Sequence, residues 1–143
     1  MSDLVRQPIP VPDEQSAAFW SAAADHVLAL ARCTHCGTRV HPAGVGCAQC
    51  LHPEPSFEFT PVDGRGTVRS WVVIRDSFLP GFRDEVPFVL VDVELDVQSD
   101  LRMIGRLLDG PDAALSQGDR VVTVFEDIAP GVAVPGFALE ART

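Results

Sequence analysis

The chain has no lysine and no tyrosine, so all eleven of its cationic side chains are arginine. That excludes Schiff-base chemistry on a lysine, a lysine-based phosphate loop and a tyrosine general acid. Histidine is nearly as scarce: His26, His35, His41 and His52 all lie toward the N-terminus, and the larger C-terminal part has none. Neither a Gly-x-Ser-x-Gly nor a His-Glu-x-x-His pattern occurs. An enzyme acting alone would have to use carboxylates, serines or a histidine beside a metal, and no spacing singles out such a set. No apolar run approaches the roughly 18 uncharged residues of a membrane helix. Met1 to Pro12 has neither a basic n-region nor an apolar h-region, so the expectation is a soluble, cytoplasmic protein with no membrane contact. Positive charge is also short. The net charge is -9, which repels a phosphate backbone unless the arginines gather on one surface, so nucleic acid is a poor default partner.

Cysteine is confined to one stretch. Cys33, Cys36, Cys47 and Cys50 form two Cys-x-x-Cys pairs around a ten-residue spacer, and no other cysteine is present. A tetrahedral metal ion takes four thiolates at about 2.3 Å, and two tight knuckles facing each other supply them with little strain. Gly37 directly follows Cys36, where a knuckle turn favours positive φ, and Pro42, Gly44 and Gly46 break the spacer into turns. The pattern predicts a structural zinc ribbon. Two disulfides would need an oxidising compartment. A rubredoxin-like iron site uses the same four ligands, and ligand type does not choose between the metals. Four thiolates fill the shell, which leaves His35, His41 and His52 as surface or neighbouring groups. From Ala31 to Pro53 the only formal charges are Arg32 and Arg39, so the ribbon's side chains carry +2 within an acidic chain. Such a module can meet an anionic ligand or an acidic partner.

The rest of the chain reads mainly as strands. Met1 to Pro12 is an extended arm; Asp13 is placed to cap a helix through about Asp25, with Phe19, Ala22 and Ala23 as its packing stripe. Alternation from Val27 to Arg32 predicts a strand feeding the first knuckle. Phe57 to Phe59 leads into the Asp63-Gly64-Arg65-Gly66 turn. Five strands follow, at Thr67 to Arg75, Phe88 to Leu95, Leu101 to Leu108, Arg120 to Glu126 and Gly136 to Ala141, the first alternating with Val68, Ser70, Val72 and Ile74 on one face and Arg69, Trp71, Val73 and Arg75 on the other; one or two helical turns are expected at Pro111 to Leu115. That count and order predict an OB-fold barrel, although a sandwich of similar size would read alike. The domain expectation is an arm and helix over residues 1–26, a zinc ribbon over 27–55 and an OB-fold over 56–143. OB-folds often bind single strands through basic, aromatic grooves. With eight arginines against sixteen acids from Glu54 onward, this one lacks the charge for it. Asp92 and Glu94 share a strand face as a carboxylate pair, read as a solvated surface answered by Arg102 and Arg106. Trp71 is ambiguous between barrel core and a stacking platform, with core favoured.

In sequence order, Phe19-Trp20, His26-x-Leu28-x-Leu30-x-Arg32-Cys33-x-x-Cys36-Gly37, Pro42, Cys47-x-x-Cys50 and Gly64-Arg65-Gly66-Thr67-Val68 resemble the domain-of-unknown-function thirty-five family. Pro87-Phe88, Val91 to Leu95, Gly118-x-x-Val121 and Pro135-Gly136-Phe137 extend the similarity across nearly the whole chain. The resemblance implies a rubredoxin-like zinc ribbon with a C-terminal OB-fold, working in acyl-CoA metabolism as a non-catalytic partner of a thiolase-fold enzyme. Those partners include thiolases, acetyltransferases and retro-aldolases that shorten steroid side chains, and some members are fused to hydratase-like domains. A hetero-oligomer, expected as a heterotetramer, and an acyl-CoA ligand of the complex follow from it. The family commonly has an arginine after the ribbon proline and a proline in the second knuckle, where this chain has Ala43 and Ala48. Arg32 or Arg39 would then have to supply any phosphate contact.

The loop from Asp76 to Val86 carries Phe78, Leu79 and Phe82 where solvent exposure is expected. Large apolar side chains in such a loop mark either a partner or acyl-CoA contact or a fold-back onto the barrel.

Overall fold

In the computed structural model, which describes residues 7–140, helix α1 (Ala17–Ala24) precedes β1 (Ala29–Cys33), β2 (Arg39–Val40) and β3 (Phe57–Pro61). Then come β4 (Arg65–Ile74), β5 (Phe88–Leu95), β6 (Arg102–Arg106), β7 (Arg120–Ala129) and β8 (Val132–Leu139). The first six residues of the expected arm, and Ala141 at the end of the last expected strand, lie outside the described residues.

Strand β4 pairs antiparallel with β5 on one side and β7 on the other, β6 flanks β5, and β8 flanks β7. A parallel bridge between Leu107 and Phe137, with the Leu108 N–H donating to the Phe137 carbonyl at 2.8 Å, joins the end of β6 to β8. This circuit, antiparallel throughout except at its closure, is the partly open Greek-key barrel of an OB-fold. Val89, Val91, Val93 and Leu95 all point inward from β5, as their alternation requires, and pack with Val68, Met103, Leu107, Val121 and Phe137. Phe19, Leu28 and Leu30 join the same cluster, so the helix and β1 are sealed into the barrel core.

A smaller sheet has the order β2-β1-β3. Strand β3 runs the full length of β1, from Ala29 opposite Pro61 to Cys33 opposite Phe57, so the chain leaving the ribbon returns along the strand that entered it.

Four local expectations are corrected. Asp13 does not cap the helix directly: its carboxylate accepts from the Ser16 N–H at 2.8 Å and the Ser16 hydroxyl at 2.7 Å, closing a turn, and α1 begins at Ala17. Residues 111–115 form turns rather than a helix, since Pro111 is followed by only a single weak 3.4 Å bond from Ala113 back to Gly110. The alternation of β4 breaks at a bulge between Val68 and Ser70, so Val68 faces the core while Ser70 and Val72 face outward. Trp71 is 42% exposed and not in the core, because the β4–β7 register ends at Thr67 and leaves that half of β4 uncovered.

Helix α1 ends in a Schellman arrangement. The His26 N–H donates to the Ala23 carbonyl at 2.8 Å and the Val27 N–H to the Ala22 carbonyl at 3.0 Å, with His26 at φ 59 in the left-handed position. The His26 ring stacks on Phe125, with centroids 5.4 Å apart, and its Nε2 lies 2.8 Å from Asp127. A histidine thus stands where glycine is usual, and its ring ties the helix end to β7.

Arg120 donates to both oxygens of Asp96, at 2.8 Å to Oδ1, and to Thr67 Oγ1 at 2.9 Å. The Arg120 hydrogen bond, then its charge and that of Arg65, hold the Asp96 carboxyl below its ordinary value of 3.8. With the folded pKa depressed, the contact's stability is complete above the unfolded value and lost as pH falls through the folded one. Both side chains are partly exposed, so solvent screening limits it to less than about 1 kcal/mol. Asp96→Asn is expected to leave less acid-dependent loss of stability below about pH 4, read from urea midpoints against pH.

Candidate metal centre

The ribbon's knuckles hang from β1 and β2. Cys33 ends β1, and its N–H donates to the Thr38 carbonyl at 2.9 Å; the Gly37 N–H closes the knuckle by donating to the Cys33 carbonyl at 2.8 Å. Gly37 sits at φ 78, and an added Cβ there would meet the Arg32 guanidinium at 3.0 Å. The second knuckle repeats the device, with the Leu51 N–H donating to the Cys47 carbonyl at 2.9 Å.

All four Sγ atoms lie within 4.8 Å of one another. Cys33 to Cys50 is 3.8 Å and Cys36 to Cys47 is 3.7 Å. A tetrahedron with metal–sulfur bonds of about 2.3 Å has edges of about 3.8 Å, so the four thiols fit one metal ion. The separations are far from the roughly 2.05 Å of a disulfide. Cys33 and Cys47 are buried, while Cys36 and Cys50 face outward. The Thr38 side chain, then its backbone N–H, pulls the Cys36 thiol down to about 6. At Cys50 a hydrogen bond from the His52 backbone pulls downward, but local loss of solvent around the sulfur and the three neighbouring sulfurs outweigh it and push the thiol up to about 11. Four thiolates this close need a cation among them.

The histidines lie beside the thiols. His35 and His52 stack with centroids 3.6 Å apart; His35 Nε2 lies 3.0 Å from the Glu54 carbonyl, and the Glu54 N–H donates to His52 Nδ1 at 3.0 Å. His41 packs on the Phe19 ring, and burial lowers its pKa.

Arg32 and Arg39 stand directly opposite each other in the β1–β2 register. Arg32 is exposed; Arg39 is half-buried, with Nε lacking a hydrogen-bond partner among the described residues. The Arg39 backbone is clamped by Gln98, whose Oε1 accepts from the Arg39 N–H at 2.8 Å and whose Nε2 donates to its carbonyl at 2.9 Å. Nothing in the sequence marks Gln98, because its partner is 59 residues away. Gln98→Ala is expected to cost about 1–3 kcal/mol by leaving two part-buried backbone groups unpaired, and to speed hydrogen exchange at the Arg39 amide.

Between helix, ribbon and barrel lies a cavity of about 380 Å³, lined by Phe19, Trp20, His41, Phe59, Met103 and Ile104 among others. In the loop after β4, Phe78 is 84% exposed and Leu79 half-exposed, while the Phe82 ring lies 5.9 Å from Phe88. Asp92 pairs with Arg102 at 2.7 Å and Glu94 with Arg69 at 3.7 Å, whereas Arg106 turns to Glu85 at 2.8 Å and covers the Phe88 ring. These carboxylates are paired surface groups. No described helix is long and apolar enough to cross a membrane.

Fold and site together define a metal-binding zinc ribbon joined to an OB-fold barrel. Residues 20–55 match the family model described as the ChsH2 rubredoxin-like zinc ribbon domain, and residues 59–126 match the ChsH2 C-terminal OB-fold domain. The chain belongs to this ChsH2 zinc-ribbon and OB-fold family. It is similar to a solved chain titled Ltp2-ChsH2(DUF35) aldolase, with 27% identity and a TM-score of 0.77, covering 91% of this chain and 98% of that one. It is also 29% identical over 133 residues to a curated protein of Thermomonospora curvata named "Probable enoyl-CoA hydratase alpha subunit". That match covers 92% of this chain but 39% of the relative, so the chain spans about two fifths of the relative's length.

Proposed function

We propose that this chain is a non-catalytic subunit that assembles in the cytoplasm with a thiolase-fold enzyme acting on acyl-CoA. The reaction is retro-aldol cleavage of a β-hydroxyacyl-CoA bearing a steroid side chain. The observation that carries this reading is the end-to-end likeness to the Ltp2-ChsH2(DUF35) aldolase chain. In such a cleavage a base takes the β-hydroxyl proton, the Cα–Cβ bond breaks to leave a carbonyl compound, and the electron pair passes to a thioester enolate, which takes up a proton. The partner supplies the base. This subunit holds a structural zinc ion and shapes the acyl-CoA channel.

Two features support the division of labour. Arg32 and Arg39 face each other beside the knuckles, a like-charged pair that an anionic group such as a CoA phosphate would relieve. Phe78 and Leu79 offer apolar surface on the loop after β4, continued inward by Phe82.

Co-production with a thiolase-fold chain sought among the products of adjacent genes, followed by assay on β-hydroxyacyl-CoA esters, tests the reading. Turnover is expected only with both chains present, and turnover by this chain alone would overturn it. Phe78→Ser with Phe82→Ser is expected to weaken assembly about tenfold or more; a folded double variant that assembles like wild type would remove the loop from the interface. The name of the curated relative favours a second reading, an accessory role in enoyl-CoA hydration, which the same complex would reveal by adding water to an enoyl-CoA. Nucleic acid is disfavoured by the net charge of -9.

A further inference from the structure

The two knuckles are built alike but end on different residues. Gly37 follows Cys36 at φ 78, and Leu51 follows Cys50 at φ 55, each closing its turn through its own N–H. Left-handed backbone is free for glycine and sterically disfavoured for a residue with a Cβ. Burial of the leucine would offset that strain, yet Leu51 is 77% exposed. Val45 is 84% exposed in the turn between Gly44 and Gly46, and an added Cβ on either glycine would meet nothing within 4 Å. The ribbon therefore presents apolar side chains to solvent, one of them held there against its backbone preference. Strain retained without a packing reward points to use elsewhere.

Charge and area decide the occupant. Four thiolates around a dication carry about -2, which cancels the +2 of Arg32 and Arg39 and leaves the loaded ribbon neutral. The rest of the chain then carries -11, the total of -9 less the ribbon's +2. A second copy would bring like-charged bodies together. Leu51 and Val45 also fall far short of the roughly 800 Å² per partner of a stable interface, so they are anchors within a larger contact. We propose that Leu51 seats in an uncharged apolar pocket on the thiolase-fold chain, an inference that rests on the function proposed above.

The test uses the full-length, zinc-loaded chain titrated with that thiolase-fold chain, comparing wild type with Leu51→Gly, Leu51→Asn and Leu51→Met at low and high salt. Glycine and asparagine accept the left-handed backbone, so those variants are expected to keep their zinc and melt no lower than wild type. Their Kd is expected to rise about tenfold or more. Methionine keeps the apolar reach and should hold Kd within about threefold, with little salt dependence. Wild-type affinity in the glycine and asparagine variants would overturn the inference and leave the functional reading standing. Loss of affinity only in company with lost zinc or a lower melting temperature would also overturn it, as would self-association that Leu51→Gly abolishes. Wild type failing to bind the thiolase-fold chain would overturn the functional reading, and this inference with it.

Discussion

Cys47→Ser is expected to strip the metal from the ribbon and to destabilise the barrel as well. Cys47 is 2% exposed, with its Sγ 3.7 Å from that of Cys36, and a serine hydroxyl there offers a weak, short ligand in place of a thiolate. Structural zinc contributes an apparent 10–16 kcal/mol or so, as large as the roughly 5–15 kcal/mol stability of a whole domain. The ribbon has little core of its own to offset that loss. The effect spreads because Cys33 is the last residue of β1, which pairs with β3 along its length and, with Leu28 just before it and Leu30 within it, enters the barrel cluster. Metal analysis should show a several-fold drop in zinc, and hydrogen exchange at Leu30 should accelerate. A metal-free variant that stayed fully folded and assembled normally would contradict a structural role for the ion.

Phe137→Ala is expected to cost about 3–5 kcal/mol, the range for deleting a fully buried aromatic ring. Phe137 is 0% exposed and sits where the barrel closes, bridged to Leu107 and accepting from the Leu108 N–H. Its ring comes within 3.0 Å of where a Cβ on Gly105 would stand, and a Cβ on Gly136 would meet the Arg106 carbonyl at 2.8 Å. These two glycines let β6 and β8 approach, and the ring fills the space they leave. Urea unfolding should show the lower midpoint. Phe78→Ser is the matched control: removing an exposed ring should change stability by no more than about 0.5 kcal/mol. If the two substitutions cost the same, the closure is not where the barrel's stability is concentrated.

Several strands were legible because their information is local. The run from Val89 to Leu95 alternates without interruption, and all four of its inward residues are buried. In β4 the same reading failed beyond Val68, because a bulge inserts one residue and inverts the faces, a change with no period of its own. Trp71 is exposed for a related reason: its side of the sheet loses β7 after Thr67, and no property of tryptophan reports where a neighbouring strand departs. Arg102 does answer Asp92, one diagonal step across the strands, but Arg106 found Glu85, in a loop whose path the sequence does not specify, and covers the Phe88 ring at the start of β5.

The sequence by itself determined the metal centre and the strand inventory. Each knuckle closes through contacts four residues apart, so cysteine spacing and a turn residue suffice to build it. Tertiary structure alone decided that β3 pairs with β1, that Gln98 clamps Arg39 and that Phe137 seals the barrel. Those contacts join residues brought together only when strand edges choose partners, and that choice follows from the burial of the whole core rather than from any short stretch of chain.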